Sequence, residues 1–574
     1  MKITTSKSKN SESFYITKSY INDRGVSTST TVRKLGTLAE LLNKHGPTRE
    51  DVMKWARQVA KEETLKYKNE IENESVLINF KANKLLNYDQ QCFYRGGYLF
   101  LQYIYYSLHL DKTCRKLAHK YKFQYDINSI LSDLVYARVL EPKSKLSSYN
   151  TAQAFLEPPN YDIHDVYRAL DVIGKECDLI QSEVYKNSNF IKGRNAKILY
   201  YDCTNYYFEI EQEDGMKKYG KSKEHRPNPI IQMGLFMDGD GLPLAFSLFD
   251  GNSNEQTSLK PLEEKITHEF GLEKFIYCSD AGLGAENIRY FNHIGERAFI
   301  VTQSIKKLPK EDKTWALSKN GFKRVSDNEK VDISQIPVDD KGLYYKEEPY
   351  TTKKLHQRLI ITYSPKYALY QKTLREQQVE RAKKMISNNS VKKQRKNPND
   401  PARFVANIAV TPDGEKADIK YHLDTSRIDD ESQYDGLYAI CTDLLDDDVN
   451  SILKVSEGRW QIEECFRIMK TDFSARPVYL RDETRIKAHF LICFLALLEY
   501  RILEKQLNNQ YTCEKILSTI RNMNFAAIQE QGFMPLYSRN ALTDLLHEKC
   551  GFRTDYEFIT KRKMKNIQKS SKLR

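Results

Sequence analysis

Residues 196 to 304 alternate between extended and helical patterns, and the order of these patterns limits the possible folds more than any other feature of the chain. Strands are predicted first, in "AKILYYDCTNYYFEI", "NPIIQMGLFMD" and "LPLAFSLFDGN", with "GDG" as the turn of a hairpin between the last two. A helix from about Gln256 to Phe270 follows. The strand "KFIYCSD", the helix "AENIRYFNH" and the strand "RAFIVTQS" complete the series.

Three strands, a helix, a strand, a helix and a strand form the order of a ribonuclease-H-like sheet, in which the first and fourth strands are neighbours. Asp202 lies in the middle of the first predicted strand, where a carboxylate is costly unless it is paired or bound to a metal. Asp280 closes the fourth predicted strand. We therefore expect these two acids to meet at one point of the sheet, and acids at strand ends are a favoured place for a functional site.

Helical patterns flank this region. Upstream they run from Tyr98 to about Lys122, through "NSILSDLVYARVL" and through "DIHDVYRALDVIGKECDLI", where Asp162 is a plausible cap. This stretch fits a helix-turn-helix reader of DNA and a plain helical bundle equally well. Closer to the N-terminus, "FYITKSYI" and "VSTSTTVRKLG" predict a hairpin, and helical pattern resumes downstream from about Asp446.

Composition narrows the partner and the compartment. A chain of 574 residues suggests about three or four domains, and a formal charge of +13 favours a polyanionic partner. The sequence has neither the apolar core of a signal peptide nor an apolar run of roughly 18 residues, so we expect a cytoplasmic protein with no membrane segment. Ten cysteines without a C-x-x-C pair indicate free thiols, and the basic tail 561 to 574 is expected to be mobile.

A third acid is needed for a metal centre, and Glu463 in "GRWQIEECFRIMK" is the best candidate. Two carboxylates a few ångströms apart repel one another unless a cation lies between them, and a pair of Mg²⁺ ions about 3.5 to 4 Å apart can hold both oxygens of an in-line phosphoryl transfer. Arg459, Glu463 and Lys470 point from roughly one helix face, so the acid can face metal while the cations bind phosphates. The alternative is a surface helix held by pairs such as Glu463 with Arg467.

The segments "YYDCTNYYFE", "YCSDAGLGAENI" and "RWQIEECFRIMK" together resemble the DDE transposases of bacterial insertion sequences. The resemblance is to the large group whose third motif contains Tyr, Arg, Glu and Lys in this order. Two residues separate Tyr from Arg, three separate Arg from Glu, and six separate Glu from Lys. Arg459, Glu463 and Lys470 fall at these spacings, whereas Ser456 replaces the Tyr. Weaker likeness in "LVYARVLEPKSKL", "YGKSKEHRPNP", "LFDGN", "DGLYAICTD", "RPVYLR" and "HFLICFLAL" extends the resemblance from about residue 100 to 500.

The resemblance implies an α/β fold in which a ribonuclease-H-like mixed sheet is interrupted by a β-rich insertion domain, with a mostly helical N-terminal region and a helical C-terminal region. The 183 residues from 280 to 463 leave room for that insertion. The expected domains are an N-terminal hairpin and helical segment (1–95) and a helical DNA-end-binding region (96–190). The catalytic core follows in two parts (191–305 and 450–505) on either side of the insertion domain (306–449). A C-terminal helical region with a basic tail (506–574) ends the series.

The resemblance also implies roles for individual residues. Asp202, Asp280 and Glu463 are expected to bind two Mg²⁺ ions, for which Mn²⁺ can substitute, while Arg459 and Lys470 touch the DNA end. Some relatives form a hairpin on the transposon end and stack a tryptophan of the insertion domain on a flipped base. Trp315 is the candidate for this contact here, although a core or surface Trp is the simpler interpretation. The remaining expected DNA contacts are basic side chains, most of them in the acid-free stretch 381–396: Arg467, Lys383, Lys384, Lys392, Lys393, Arg395 and Lys396.

The sequence therefore predicts a transposase that cuts insertion-sequence ends and joins them to target DNA by Mg²⁺-dependent phosphoryl transfer. Its expected partners are the terminal inverted repeats and the target duplex, held by a homodimer that assembles on DNA in the bacterial nucleoid. Two alternatives stay open: a DNA-binding regulator that no longer cuts, and a structure-specific nuclease of the same fold. The basic charge and the cations beside Glu463 argue against a glycoside hydrolase, which could also use two carboxylates.

Overall fold

The computed structural model describes residues 1–9, 11–21, 27–72, 75–78, 83, 85–188, 194–388, 399–408, 420–528 and 531–573. The chain divides into two compact units, residues 1–88 and 89–574. The predicted boundaries inside the second unit remain predictions.

The first unit combines a small antiparallel sheet with two helices. Its elements are β1 (Lys2–Ser8), β2 (Ser11–Ile21), β3 (Ser27–Thr37), α1 (Leu38–His45) and α2 (Arg49–Glu72). The predicted hairpin is confirmed as β2 and β3, while the turn "NDRG" lies outside the described residues and β1 was not predicted. Thr37 begins α1 with a capping box to Glu40, and Phe14, Leu41 and Val52 form the buried core of this unit.

The second unit begins with a short strand and a group of helices. They are β4 (Phe93–Arg95), α3 (Tyr98–Ser107), α4 (Leu110–Tyr121), α5 (Ile127–Leu140), α6 (Lys145–Ala152), α7 (Ile163–Lys175) and α8 (Cys177–Asn187). His109 has a φ of 53° and divides the single helix predicted from Tyr98 to Lys122 into α3 and α4. Asp162 caps α7 as predicted, with its carboxylate accepting from the backbone of His164 and Asp165.

The elements predicted from residue 196 to 304 are all present. They are β5 (Ile198–Tyr207), β6 (Ile230–Asp238), β7 (Pro243–Asp250), α9 (Glu255–Phe270), β8 (Ile276–Ser279), α10 (Glu286–Phe291) and β9 (Ala298–Gln303). Their strands are ordered β7-β6-β5-β8-β9, and β5 pairs with β8 in parallel, with Leu199 opposite Tyr277 and Tyr200 opposite Cys278. The first and fourth strands of this region are therefore neighbours, as predicted.

Residues 306 to 449 continue the same sheet. Their elements are α11 (Lys310–Leu317), β10 (Phe322–Arg324), β11 (Lys330–Val331), β12 (Tyr344–Thr351), β13 (His356–Tyr363), α12 (Pro365–Ser387), β14 (Val405–Ile408), β15 (Lys420–Leu423), α13 (Thr425–Ser432) and β16 (Leu437–Thr442). Because β16 pairs with β9 in an antiparallel register, the strands β16, β13, β12, β10 and β11 extend the sheet to ten strands within the described residues. The strands β14 and β15 form a separate pair.

The C-terminal elements are α14 (Val449–Glu457), α15 (Trp460–Lys470), α16 (Glu483–Gln506), α17 (Cys513–Asn522), β17 (Asn524–Ile528), β18 (Gly532–Pro535), α18 (Ala541–Cys550), β19 (Ile559–Thr560) and α19 (Lys561–Ser570). The C-terminal region contains the predicted helices, and in addition β17, β18 and β19, which were not predicted, form a sheet with β4. The prediction of a mobile tail is wrong, since α19 buries Met564 and Ile567. No helix within the described ranges is long and apolar enough to cross a bilayer.

The large sheet has a core on each face. Leu199, Tyr201 and Cys203 of β5 point into a core with α9, whereas Tyr200 and Tyr206 point into the core that contains α15 and α16. Side chains alternate along a strand, so Asp202 lies on the same face as Tyr200 and Tyr206. This alternation places Asp202 on the side of the sheet that α15 covers.

Candidate active site

Asp202 and Asp280 lie at matching positions on neighbouring strands. Each stands two residues beyond the parallel pair formed by Tyr200 and Cys278, Asp202 inside β5 and Asp280 immediately after β8. Adjacent strands are about 4.8 Å apart, so this register brings the two carboxylates to one place at the end of the paired segment. The predicted meeting of the two acids is supported by this pairing and by their electrostatic repulsion.

The environment of Asp202 is costly for a negative charge. Burial is the main cause that raises the pKa of Asp202 to about 6, and repulsion by Asp280 and Glu255 adds to the increase. The ammonium of Lys223 and a hydrogen bond from the backbone N–H of Cys203, 2.7 Å long, oppose it. A cation bound beside Asp202 and Asp280 would relieve both the burial cost and the repulsion.

Asp280 is exposed, and backbone donors fix its orientation. Its Oδ1 accepts hydrogen bonds from the N–H groups of Gly282 at 2.9 Å and Leu283 at 3.1 Å. The side chain of Gln256, at the start of α9, donates to the carbonyl of Gly282 at 3.0 Å. These contacts tie the Asp280 loop to α9 and leave the second carboxylate oxygen of Asp280 available.

The helix α15 carries Glu463 along β5. Its buried residues, Ile462, Cys465, Phe466, Ile468 and Met469, pack inward, whereas Glu463 is exposed. Tyr200 of β5 donates to the carbonyl of Val455 at 2.9 Å just before α15, and the Tyr206 hydroxyl lies 3.8 Å from the sulfur of Met469 near its end. Asp202 lies between these two tyrosines, so the part of α15 that contains Glu463 runs alongside it.

The three predicted metal ligands do not form a closed cluster. Within the described residues, no three side chains of His, Cys, Asp or Glu are gathered closely enough to hold one metal ion together. The facing pair of Asp202 and Asp280 nevertheless fits Mg²⁺, which takes one or two carboxylates and completes its shell with water and substrate phosphate oxygens. The part of Glu463 as a third ligand stays a prediction.

Arg459 is held over the sheet. Its guanidinium donates to the hydroxyl of Thr302 at 3.1 Å and to that of Tyr438 at 3.4 Å, which are residues of β9 and β16. With Ser456, Trp460 and Glu463 it lines an open cleft of about 270 Å³. Ser456, which stands at the usual Tyr position of the third motif, therefore opens into the same cleft as Glu463.

The other two cations of α15 are paired with acids. Lys470 lies 3.5 Å from Glu224 and near the ring of Tyr206, and burial lowers its pKa despite the opposing effect of Glu224. Arg467 donates to both oxygens of Glu464 at 2.7 Å and to Asp472 at 3.1 Å. The described structure records no ion pair between Glu463 and Arg467, so the surface-helix alternative lacks the pair that it proposed.

The remaining predicted DNA contacts are spread over the chain. Trp315 in α11 packs at the edge of the core shared with α9, with the ammonium of Lys346 4.7 Å from its ring centre. Lys383 and Lys384 are exposed near the end of α12, where Lys383 pairs with Glu380. Four predicted contacts lie outside the described residues: Lys392, Lys393, Arg395 and Lys396.

Two acids and two cations near the site were not predicted. The ammonium of Lys223 lies 3.3 Å from Glu255, and Glu224 pairs with Arg476 as well as with Lys470. The only sequence signals were "YGKSKEHRPNP" and "RPVYLR", which contributed to the resemblance without a role for any residue in them. The pairs of Glu224 link the loop after β5 to α15 and the segment after it, and the pair of Lys223 links the same loop to the start of α9.

A comparison with curated proteins gives no significant match. Among solved structures, the chain is similar to the piggyBac transposase synaptic complex with hairpin DNA, determined by cryo-EM, with a TM-score of 0.37 and 8% identity over 84% of this chain and 88% of that chain. It is also similar to the Mos1 transposase paired-end complex with left transposon end, with a TM-score of 0.12 and 13% identity over 44% and 67%. Both TM-scores are below 0.5, a level at which a shared architecture is not established.

A family model supplies the match that identifies the family. The model of the transposase DDE domain matches residues 202–498, which is just over half of the chain. The matched segment begins at Asp202 and includes Asp280, the strands from 306 to 449 and Glu463. The chain belongs to the DDE transposase domain family.

Proposed function

We propose that this protein is a DNA transposase that cleaves the ends of an insertion sequence and joins them to target DNA by metal-dependent phosphoryl transfer. The observation that carries this proposal is the parallel pairing of β5 with β8, which brings Asp202 beside Asp280 inside a segment matched by the transposase DDE domain. The strand order β7-β6-β5-β8-β9 supports a ribonuclease-H-like core. The spacing of Arg459, Glu463 and Lys470 supports the subgroup with the Tyr-Arg-Glu-Lys motif.

Each acid has a distinct part in this mechanism. Asp202 and Asp280 would hold the metal, and the N–H groups of Gly282 and Leu283 keep the Asp280 carboxylate oriented towards it. Glu463 would approach from α15 when DNA fills the cleft beside it. Mg²⁺, or Mn²⁺ in its place, supplies Lewis-acid charge that stabilises the transferring phosphoryl group, and two ions are the expected number.

The substrate has to be held by cations. Arg459 lines the same cleft as Glu463, so its guanidinium can contact a backbone phosphate of DNA bound in that cleft. The helices α3 to α8 are proposed to read the transposon ends, and the basic residues of α12 and the segment after it are proposed to bind backbone phosphates. Because two ends must be joined in one event, a homodimer assembled on DNA in the nucleoid is the expected working form.

The acids can be tested separately from DNA binding. We expect Asp202→Asn, Asp280→Asn and Glu463→Gln to reduce end cleavage at least about 100-fold, because several kcal/mol of transition-state stabilisation is lost. Affinity for duplex DNA should remain within a few-fold of wild type. Glu464→Gln is the matched control on the same helix, since Glu464 pairs with Arg467 on the outer surface and should be dispensable for cleavage.

The products distinguish the proposal from its alternatives. Purified protein with Mg²⁺, donor ends and a target plasmid should give joined product. Cleavage without joining would indicate a structure-specific nuclease, and binding without cleavage would indicate a regulator that no longer cuts. A Glu463→Gln protein that cleaves normally would remove Glu463 from the proposed triad.

A further inference from the structure

Glu224 occupies the middle of a cation cluster at the end of α15. Its Oε1 lies 2.9 Å from Nε of Arg476 and 3.5 Å from Nζ of Lys470. The side chains of Glu224, Lys470 and Arg476 are 21%, 14% and 23% exposed, so the group lies at the protein surface without being freely solvated. One carboxylate therefore serves two cations that are already partly withdrawn from water.

Positive charge around Glu224 is in excess. Arg226 and Arg476 both stack on the ring of Tyr207, with guanidinium carbons 4.5 and 5.3 Å from its centre. Within the described part of the chain, no acid forms an ion pair with Arg226. Lys470 lies 5.5 Å from the ring centre of Tyr206, so each of the two cations paired with Glu224 also contacts one tyrosine of β5.

The pairing inside this cluster is incomplete. Although Arg476 Nε and Glu224 Oε1 are only 2.9 Å apart, they do not meet in hydrogen-bonding geometry, and both atoms are buried without a hydrogen bond. The two charges still attract each other, but among the described residues the Nε–H of Arg476 has no well-aligned acceptor. A tetrahedral anion offers acceptors in more directions than one carboxylate oxygen, so it can accept from the Nε–H of Arg476 and from Lys470 at the same time.

We propose that Lys470 and Arg476 form a binding site for one phosphodiester group of the DNA backbone, and that Glu224 occupies the position of this phosphate until DNA displaces it. This inference rests on the proposed function, because it takes the partner to be DNA. Seven residues of helix separate Glu463 from Lys470, a distance of about 10 Å.

The test measures DNA affinity and its salt dependence. Each variant is titrated with a fluorescent duplex of about 30 base pairs in EDTA, between about 50 and about 200 mM salt, by anisotropy. Glu224→Gln removes the competing anion, so affinity should rise about 3- to 10-fold. Arg476→Gln should weaken binding and reduce the salt slope by about 0.9, the value for one phosphate contact. In the double variant the gain from Glu224→Gln should shrink, because both changes act on one site.

Controls separate a binding role from a structural one. Glu213→Gln is the matched control, since Glu213 also pairs with a lysine of the same loop region, Lys218, at 3.5 Å. The affinity of the Glu213→Gln protein for DNA should equal that of wild type. The inference is overturned if folded Glu224→Gln protein binds DNA no more tightly than wild type, or if Arg476→Gln leaves the salt slope unchanged. The second result decides the matter even if Glu224→Gln does not fold. Failure of wild-type protein to bind duplex DNA would instead overturn the proposed function itself.

Discussion

A single methyl group introduced at Gly458 should push α15 away from β5, the strand that contains Asp202. It stands between α14 and α15, where a Cβ atom would meet the hydroxyl of Tyr200 well inside contact distance and would lie 2.9 Å from the Cζ atom of that residue. Tyr200 is buried and is two residues before Asp202 in β5. A Gly458→Ala substitution must therefore push the start of α15 away from β5, and Glu463 moves with it.

The size of the effect follows from these contacts. Ordinary Cβ contacts begin at 3.4 Å, so the Cζ contact alone requires a shift of 0.5 Å and the hydroxyl contact requires about 1 Å. Overpacking of this kind costs about 1 to 3 kcal/mol of stability. A misplacement of about 1 Å in a catalytic group lowers the rate about 100-fold, which is the expected loss of end cleavage.

A second substitution provides the rescue. Tyr200→Phe removes the hydroxyl that the new methyl group meets, and on its own it loses one hydrogen bond to Val455, worth about 1 kcal/mol. Cleavage by Tyr200→Phe should stay within about 3-fold of wild type, and the double variant should recover to within about 10-fold. Cleavage rates under single-turnover conditions and anisotropy with the same DNA end would be measured on all four proteins.

Two results would refute this reasoning. If Gly458→Ala cleaves at the wild-type rate, the contact between α15 and β5 does not set the position of Glu463. If the double variant is no better than Gly458→Ala while both are folded, the hydroxyl of Tyr200 is not what opposes the methyl group. A loss of DNA binding in parallel with cleavage would assign the defect to substrate binding.

Three further predictions concern stability. Burial raises the pKa of Asp133 to about 8, so the folded protein loses stability as pH rises from about 4 towards 8. In urea unfolding, the free energy of unfolding of Asp133→Asn should therefore exceed that of wild type by about 2 to 4 kcal/mol between pH about 5 and about 9. Equal pH profiles for the two proteins would contradict this. Trp315→Ala should lower the free energy of unfolding by about 2 kcal/mol without weakening duplex binding, whereas the opposite pattern in calorimetry and anisotropy would indicate a DNA contact. Met564→Asp should undock α19 and expose the C-terminal segment to trypsin, with Lys565→Asp on the exposed face as the control.

The order of elements from 196 to 304 was predictable because each element leaves a local pattern. Short apolar runs bounded by turn residues mark the strands from β5 to β9, and the order of the elements was sufficient to place Asp202 and Asp280 on neighbouring strands. The cap at Asp162 was equally local. These features depend on residues that are close together in the chain, so a single sequence contains them.

The features that were missed depend on residues far apart in the chain. Lys470 pairs with Glu224, which precedes it by 246 positions, and no local pattern selects that acid among the others. Glu463, Glu464 and Asp472 are all close enough to Arg467 in the sequence to pair with it. The packing of α15 selects Glu464 and Asp472 as its partners. In the same way, the strands from 306 to 449 were recognisable as strands, but nothing near them showed that β16 would pair with β9.

The position of α16 has a consequence for biosynthesis. Its side chains from Ile486 to Leu503 are almost all buried, and it packs against α3, α5 and α7, which leave the ribosome more than 300 codons earlier. At about 5 to 20 residues per second, those helices wait about 15 s to 1 min for their partner. During this interval their apolar faces are open to chaperones and proteases, and a nascent chain interrupted before residue 483 cannot bury them. Since Glu463 also emerges late, an unfinished chain already carries Asp202 and Asp280 but lacks the acid proposed as the third metal ligand.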